Sequence, residues 1–394
     1  KKLLDYLKIN KYLYNKFALI LFFREFFFKL ISLIYLVPGI FLYFLNFRFI
    51  CTNPFSIGSY SEELECILIK YRKNKYKLIL LEPEAYSANK YMIEIFFKDK
   101  FLRITSNFKC ILLLPFTYLD FLKIDAYKKY DQIYFQKQFF YLNDMERKKK
   151  KFDHEILYKR RFISGKTNHL KFENLNKSHN NKKKICFLHV RLEENLELRN
   201  GTFSNFIDAI KHLISQNYDV YFFNEYDPRL KLNGFYFFDL NVDINKKKQL
   251  EILIQSEFYL GQISGPFFLA NFLKKKMIIT DLVIFNHLLF SEDYYLITKK
   301  FYKNKKLMSL KEIFNDNLQC IWDNKLLIKK NIEVENNTPD EILEVTKEFL
   351  NKEKISPKNI LSKLESNKIK FNYLNHSILK SLSRYFLEKN KILN

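Results

Sequence analysis

The chain has 394 residues, 48% of them hydrophobic, and a formal net charge of +24 at pH 7. The hydrophobic content excludes an intrinsically disordered chain, and the length suffices for two domains of ordinary size. The positive charge favours anionic partners such as phospholipid headgroups and nucleotide phosphates. Because no recognised nucleic-acid-binding motif accompanies the charge, we expect no nucleic acid partner.

The cysteines indicate a reducing environment. Cys51, Cys66, Cys110, Cys186 and Cys320 are scattered singly, without a Cys-x-x-Cys pair. Their odd count and their spacing suit neither a disulfide framework nor a zinc site. We therefore expect a cytoplasmic protein without a bound metal.

The N-terminal region, residues 1–46, is hydrophobic and basic. Residues 30–47 carry no charge, which is just long enough to suggest a membrane span. Pro38-Gly39, near the middle of this stretch, would break or kink a helix. Lys and Arg mixed with large apolar residues before it are typical of an interfacial amphipathic segment. Monotopic membrane association is our main interpretation, with buried core helices and a true span as alternatives.

Beyond residue 46, short apolar runs alternate with amphipathic stretches. The predicted strands cover 47–51, 77–82, 110–115, 184–190, 219–224, 235–239, 257–261 and 276–281. The predicted helices cover 87–98, 202–216, 246–256 and 266–275. Continuous apolar strands separated by helices indicate parallel sheets covered on both faces.

The strands fall into two clusters, which predict two α/β domains. We expect an N-terminal α/β domain over 47–145 and a basic linker region over 146–183. A second α/β domain is expected over 184–335, followed by C-terminal helices over 336–394. With only seven glycines, the chain contains neither a P-loop nor a Gly-x-Gly-x-x-Gly motif.

Polar and small residues follow two strands of the second domain. His189 and Arg191 lie at the end of one strand, and Gly261 ends another, followed by Ser264-Gly265 at the start of a predicted helix. Ligands of open parallel sheets bind beyond the carboxyl ends of the strands. A guanidinium and a helix N-terminus both suit a phosphate, so together they predict a diphosphate site. A salt bridge and a simple helix cap are the structural alternatives.

Several motifs resemble a family of bacterial glycosyltransferases of the GT-B type. They are "CFLHVR" (186–191), "RNGTFSNFIDAIKHLISQNYDVYFFNEY" (199–226), "LGQISGPFFLANFL" (260–273) and "ENNTPDEILEVTKEFL" (335–350). The resemblance covers roughly residues 20–355. The sequence departs from the family pattern at "PFSIGSY" (54–60), where Ser59 stands in place of the family's histidine. Without the imidazole, an acid–base role is not expected at that position. The last of these motifs also reads as a helix start, with Thr338 as N-cap and Glu341 completing a capping box.

The resemblance implies an α/β fold of the GT-B kind, with two Rossmann-like parallel-sheet domains facing a cleft. The domain over 47–145 would then be the acceptor-side domain, and the domain over 184–335 would bind the nucleotide sugar. A more distant similarity to fucosyltransferase-like enzymes implies that Arg191 holds the diphosphate of a nucleotide sugar and that Ser264 supports it. His189 would orient the loop or approach the sugar. By position, Asn224 and Glu225 would face the nucleoside.

Sugar transfer requires that the leaving diphosphate be stabilised and the acceptor hydroxyl deprotonated. No metal or cofactor is expected, since no Asp-x-Asp motif stands at a suitable strand end. Glu84 is the predicted catalytic base, with a helix cap as its structural alternative, and His189 is the second catalytic candidate. Glu82 and Asp120 also follow predicted strands.

Three functions remain in competition. The leading hypothesis is a metal-independent glycosyltransferase, peripheral on the cytoplasmic face of the inner membrane, which modifies a bacterial surface glycan, a lipid-linked glycan or a protein. Inversion or retention stays open. The alternatives are a non-catalytic nucleotide-sugar-binding homologue, which the Ser59 replacement favours, and a basic scaffold or nucleic-acid-binding protein.

Overall fold

The chain divides into two compact units, Lys1–Asp153 (unit 1) and His154–Asn394 (unit 2). The structure, a computed structural model, describes residues 26–50, 57, 58, 60, 61, 64, 67, 75–82, 89–96, 100–124, 183–192, 197–273, 275–283, 294–316, 318, 324–353 and 381–392. The predicted linker, 146–183, lies outside the described residues apart from Lys183.

Unit 1 contains a four-stranded sheet in which every pairing is parallel. Its strands are β1 Phe47–Ile50, β2 Lys77–Leu81, β3 Leu102–Ile104 and β4 Lys123–Ile124, in the order β3-β2-β1-β4. Every residue of β2 after Lys77 is buried, as expected for a parallel strand covered on both faces. The predictions of β1 and β2 are confirmed.

The helices of unit 1 correct one sequence prediction. In the described part of this unit they include α1 Phe26–Ile34, α2 Leu36–Phe44, α3 Tyr91–Phe96 and α4 Asn107–Leu113, and a 3₁₀ helix, Leu114–Tyr118, continues α4. The predicted strand 110–115 is therefore wrong. Ser106 caps α4 by accepting a hydrogen bond from the backbone N–H of Lys109. Periodicity alone does not distinguish a short apolar strand from a short buried helix, whereas a cap does.

α1 and α2 meet at a sharp bend. No described helix by itself is long and apolar enough to cross a membrane, and α1 and α2 meet the length and composition test only as a pair bent by 69°. Pro38 accounts for the break. In a continuous helix its ring would clash with the carbonyl of Ile34, four residues earlier. The predicted kink is confirmed. Ile34 and Val37 are both 77% exposed, so the interpretation as buried core helices is wrong for the outer faces of this pair.

Unit 2 is built on a six-stranded sheet whose pairings are all parallel. Its strands are β5 Lys184–His189, β6 Tyr218–Asn224, β7 Phe235–Asp239, β8 Phe258–Gly261, β9 Lys276–Leu282 and β10 Tyr294–Thr298. The order is β10-β9-β8-β5-β6-β7. Counted from the first strand of the unit, this is the 3-2-1-4-5-6 order of a dinucleotide-binding Rossmann sheet. Five of the six strands match predicted ones.

The helices in the described part of unit 2 are α5 Ile207–Ser215, α6 Asp243–Gln255, α7 Gly265–Phe272, α8 Leu310–Asn315, α9 Asn324–Lys329, α10 Pro339–Asn351 and α11 Arg384–Asn390. Of these, α5, α6, α7 and α10 pack against strands of this sheet. A second, antiparallel sheet follows β10, with β11 Lys300–Lys303, β12 Lys306–Leu307 and β13 Ile332–Glu335. The predicted capping box is confirmed at α10: the Thr338 side chain accepts from the N–H of Glu341, and the N–H of Thr338 donates to the Glu341 carboxylate.

The prediction of an α/β fold with two parallel-sheet units is confirmed. Aromatic residues fill the centre of the larger sheet, where the Phe187 ring stacks at 5.5 Å on Phe223 and at 6.0 Å on Tyr259. These stacks link β5 to both of its neighbours, β6 and β8, and so fix the relative positions of their carboxyl ends.

Candidate functional site

The candidate site lies where the strand order of unit 2 reverses. β5 is the central strand, with β6 on one side and β8 on the other, so the chain leaves β5 and β8 in opposite directions around the sheet. This divergence opens a crevice at the carboxyl ends of the two strands, which is where ligands of this topology bind. The two strand ends predicted from the sequence are therefore those that flank the crevice.

Gly261 allows β8 to end directly beside β5. It pairs with His189 in the sheet and adopts a φ of +149°. A Cβ at this position would lie 1.9 Å from the backbone oxygen of His189, which no side chain permits. Only glycine fits here. This packing reason accounts for Gly261 whether or not it touches a ligand.

Backbone contacts on both sides fix the position of Arg191. Its N–H donates to Gln262 Oε1 at 2.8 Å, and its carbonyl accepts from the N–H of Gly201 at 3.1 Å. The side chain is buried, with 7% exposure. Its charge acts on two neighbours, because it lowers the pKa of His189 and opposes the rise in the pKa of Tyr259. The guanidinium charge therefore lies near residues of both strands that flank the crevice.

Ser264 occupies the N-cap position of α7 without capping the helix through its side chain. It is 4% exposed, and its Oγ lies 3.4 Å from the hydroxyl of Tyr259. That hydroxyl donates to the carbonyl of Gln262 at 2.6 Å. Gly265 is the first residue of α7 and Pro266 the second, an arrangement suited to a helix start. The Ser264 hydroxyl is thus not used to cap α7.

His189 is held in the neutral form. Burial, and secondly the nearby charge of Arg191, lower its pKa to about 3, while the backbone of Phe223 acts in the opposite direction. Its Nδ1 is buried and has no hydrogen-bond partner among the described residues. A neutral imidazole at this strand end can donate or accept a hydrogen bond, but it adds no positive charge at neutral pH.

Asn224 ties the end of β6 to the end of β5. Its side-chain amide donates to the carbonyl of Val190 at 2.8 Å, and its Oδ1 accepts from the N–H of Glu225 at 2.8 Å and of Tyr226 at 3.2 Å. The Glu225 side chain is exposed. The structure thus gives Asn224 a role in shaping the loop, while contact of Asn224 and Glu225 with a nucleoside stays a prediction.

A buried polar network supports the strand ends, and the sequence interpretation missed it. Gln262, besides holding Arg191, donates from Nε2 to Asp281 Oδ2 at 3.0 Å. Asp281 exchanges two bonds with Asn337: its N–H donates to Asn337 Oδ1 at 2.6 Å, and its Oδ1 accepts from the N–H of Asn337 at 2.7 Å. Asn337 Nδ2 donates to the carbonyl of Thr298 at 2.8 Å. The network thus joins β8, β9 and β10 to the start of α10.

Lys299 and Asp281 are the charged members of this network. Lys299 Nζ donates to the carbonyl of Asn200 at 2.6 Å and to Asn336 Oδ1 at 2.5 Å. Burial raises the pKa of Asp281 and lowers that of Lys299, and the attraction between the two charges opposes both shifts. Asp281 ends the apolar run "KMIITD", so the strand-end rule applied to β9 would have identified it.

Arg199 adds a third cation to this edge of the sheet. Its Nη2 donates to the carbonyl of Ile263 at 2.8 Å. With Gln262, Ile263, Asp281, Leu282 and Val283 it lines a small depression beyond the ends of β8 and β9. Arg191, Arg199 and Lys299 thus place three positive charges among the described residues at this edge, beside the carboxylate of Asp281.

Two of the predicted residues of unit 1, Glu84 and Ser59, lie outside the described residues. The role of Glu84 as base, and the effect of Ser59 in place of histidine, stay predictions. Glu82 is buried at the end of β2 and forms an ion pair with Arg103 of β3, while Asp120 is exposed. Glu82 is thus engaged within the sheet. Among the described residues, no group of three or more His, Cys, Asp or Glu side chains could hold a metal ion.

Comparisons with known proteins give little further guidance. The sequence matches no established protein family and no curated protein. Among solved structures, the chain is similar to ADP-heptose LPS heptosyltransferase II of E. coli, with 10% identity and a TM-score of 0.38. The match covers 78% of this chain and 99% of that one.

Proposed function

We propose that the protein is a GT-B glycosyltransferase that moves a sugar from a nucleotide-sugar donor to an acceptor. One observation carries the proposal: a buried arginine and a helix N-terminus flank the crevice at the strand-order reversal of a 3-2-1-4-5-6 sheet. Sheets of this order bind nucleotides at that crevice, with a diphosphate at a helix N-terminus. The resemblance in sequence motifs points to the same chemistry.

In this proposal, the diphosphate lies against Arg191 and the first turn of α7. The guanidinium supplies a permanent charge and paired N–H donors, and the backbone N–H groups at the start of α7 supply further donors. Ser264 would offer its hydroxyl to a phosphate oxygen. Together these groups would stabilise the charge that develops on the leaving diphosphate, which is the main electrostatic demand of the reaction.

In the reaction, the acceptor hydroxyl attacks the anomeric carbon, and the bond from that carbon to the diphosphate oxygen breaks. The nucleoside diphosphate leaves, and a base takes the hydroxyl proton. We assign His189 to donor positioning, because a pKa of about 3 is far from that of an efficient base at neutral pH. Glu84 is kept as the predicted base.

We propose that neither metal nor cofactor is needed, since the protein itself supplies cationic groups and a helix N-terminus for the diphosphate. The acceptor would be a bacterial surface glycan, a lipid-linked glycan or a protein, modified at the cytoplasmic face of the membrane. Transfer that persists after exhaustive treatment with a chelator would support metal independence, and loss of transfer restored by a divalent cation would contradict it.

The first experiment is a thermal-shift screen of UDP-, GDP-, ADP-, dTDP- and CMP-linked sugars with wild type, Arg191→Lys and Arg191→Ala. A ligand at about 100 times its Kd stabilises by about 2.7 kcal/mol, which is readily detected. We expect one nucleotide class to stabilise the wild type and both Arg191 variants to lose most of this effect. Arg229→Ala is the matched control, because Arg229 is exposed in the loop after β6. Stabilisation by inorganic phosphate alone would contradict the donor site.

A non-catalytic nucleotide-sugar binder is the second candidate, and the Ser59 replacement favours it. Binding without turnover, tested with a range of acceptors, would support this candidate over an enzyme. Salt-dependent binding to phosphates without nucleotide preference would instead support a basic scaffold.

A further inference from the structure

α4 presents an apolar face to solvent. Phe108, Ile111 and Leu112 are 74%, 63% and 50% exposed, and their spacing places them on one side of the helix. The opposite side is anchored to the unit, where Cys110 is buried and its Sγ lies 3.1 Å from the carbonyl of Ile104. The outer face of a helix in a soluble domain normally carries polar residues. The outer side of α4 is therefore apolar, where a polar surface would be expected.

Aromatic contacts fix α4 to the α1–α2 pair. The 3₁₀ helix that continues α4 supplies both partners: Tyr118 stacks on Phe28 of α1 at 5.7 Å, and Phe116 meets Tyr35 edge-on at 4.9 Å. These contacts make the three helices part of one packed structure. We call the exposed apolar side chains of α1, α2 and α4 the apolar platform.

The charges of the platform are all positive. Lys29 in α1 and Lys109 in α4 are the charged residues of the three helices, and both are exposed. Apolar faces with lysine at their margins are typical of segments that lie in the headgroup region of anionic bilayers. A second copy of the chain would oppose lysines to lysines on this surface and would double a net charge of +24, so electrostatics favour an anionic bilayer over self-association.

We propose that the apolar platform docks on an anionic phospholipid bilayer, and that α4 inserts beside α1 and α2. The sequence predicts a membrane-associating segment over residues 1–46, whereas this surface adds α4, which begins more than sixty positions further along the chain. The 69° bend suits two helices that lie in the interface. Docking does not depend on the proposed enzymatic activity, so either can fail without the other.

The test is co-sedimentation of the full chain with vesicles that contain about 30% anionic lipid. The variant is Phe108→Gln/Ile111→Gln/Leu112→Gln, which leaves charge and helix propensity nearly unchanged. The matched control is Tyr236→Gln/Ile244→Gln/Ile328→Gln, which replaces exposed apolar side chains of unit 2. We expect the α4 variant to partition about tenfold less and the control to partition as the wild type does. Equal partitioning of wild type and α4 variant would overturn the proposal.

A second measurement places α4 directly. Trp322 is the chain's single tryptophan, so Trp322→Phe/Ile111→Trp reports on α4 alone, and Trp322→Phe/Ile244→Trp is its control. A blue shift on addition of anionic vesicles is expected for the Ile111→Trp chain and not for its control. The absence of a shift, or a shift that is as large with neutral vesicles, would overturn docking on an anionic surface. A different result would also overturn the proposal: a wild-type chain that is a dimer, and an α4 variant that is a monomer but still binds vesicles. The surface of α4 would then be covered by a second copy of the chain.

Discussion

Both units place their first strand inside a parallel sheet, and both begin with the strand order 3-2-1-4. They differ in where their unusual side chains lie. In unit 1, apolar residues such as Ile34, Val37 and Phe108 face solvent on the helices. In unit 2, polar residues such as Arg191, Asp281 and Lys299 are buried at the carboxyl edge of the sheet.

The difference teaches that a shared topology leaves function open. The same order of strands forms the crevice, but only the side chains at strand ends and on outer helix faces decide what binds there. In unit 2, these side chains suit a phosphorylated ligand, whereas in unit 1 they suit an apolar, anionic surface. The following predictions test this contrast, from the largest expected effect to the smallest.

Gly261→Ala should disrupt unit 2 most. Its Cβ would meet the backbone of His189, so the strand pair must separate, and we expect a loss of at least about 3 kcal/mol in the free energy of unfolding. Gly234→Ala is the control: its φ of +92° strains a side chain by about 1 to 2 kcal/mol, but its nearest contact is the Ile214 side chain at 3.3 Å and not backbone. Urea unfolding followed by circular dichroism measures both, and equal losses would refute the argument from close strand approach.

Asn337→Ala tests the buried network. It leaves the N–H of Asp281 and the carbonyl of Thr298 without their side-chain partner, and we expect a loss of about 2 to 3 kcal/mol. Asn336→Ala should cost about 1 kcal/mol or less, because that residue is partly exposed and water replaces its contact with Lys299. A larger loss for Asn336→Ala than for Asn337→Ala would contradict the assigned roles.

The depressed pKa of His189 predicts a loss of stability in acid. Below its ordinary pKa of 6.5, the imidazole binds a proton in the unfolded chain but not in the folded one until about pH 3. The contribution of His189 to the free energy of unfolding should therefore be complete above pH 6.5. Between pH 6.5 and about pH 3 it should fall by about 1.4 kcal/mol per pH unit. The free energy of unfolding of His189→Gln should therefore fall by about 2 kcal/mol less than that of the wild type between pH 6.5 and about pH 5.

His212→Gln is the comparison for that measurement. Burial and Lys347 also lower the pKa of His212, but this residue lies on the partly exposed side of α5, and its substitution should flatten the pH profile less. If both variants keep the wild-type slope, His189 is not held neutral in the folded protein.

The smallest effect is expected in unit 1. Replacing Phe108, Ile111 and Leu112 with Gln should change the free energy of unfolding by less than about 0.5 kcal/mol each, because these side chains are exposed in the folded state. Phe116→Ala should cost about 3 kcal/mol or more, since Phe116 is buried and stacked on Phe49 at 5.0 Å. A large loss for the α4 substitutions would show that their side chains are buried.

The sequence predicted unit 2 better than unit 1. Five strands of unit 2 are continuous apolar runs bounded by polar residues, a pattern that buried parallel strands impose. β3 and β4 have three and two residues, too few to form a recognisable pattern. The apolar run at 110–115 predicts a buried strand, because composition alone does not distinguish such a strand from a helix that exposes apolar side chains.

The residues of the candidate site also divide into those that the sequence predicts and those that it does not. Arg191 and Ser264 lie two and three residues beyond the ends of β5 and β8, so their place at the sheet edge could be read from the chain. Asn337 could not, since it reaches Asp281 across 56 positions and depends on where α10 packs.

The sequence by itself determined the α/β class, five strands of unit 2, the cap of α10 and the kink at Pro38, because each depends on neighbouring residues. Only the tertiary structure decided that β5 and β8 are adjacent, that Gly261 must lack a side chain, and that the apolar face of α4 points outward. These features depend on contacts between distant segments, and local propensity carries no information about such contacts.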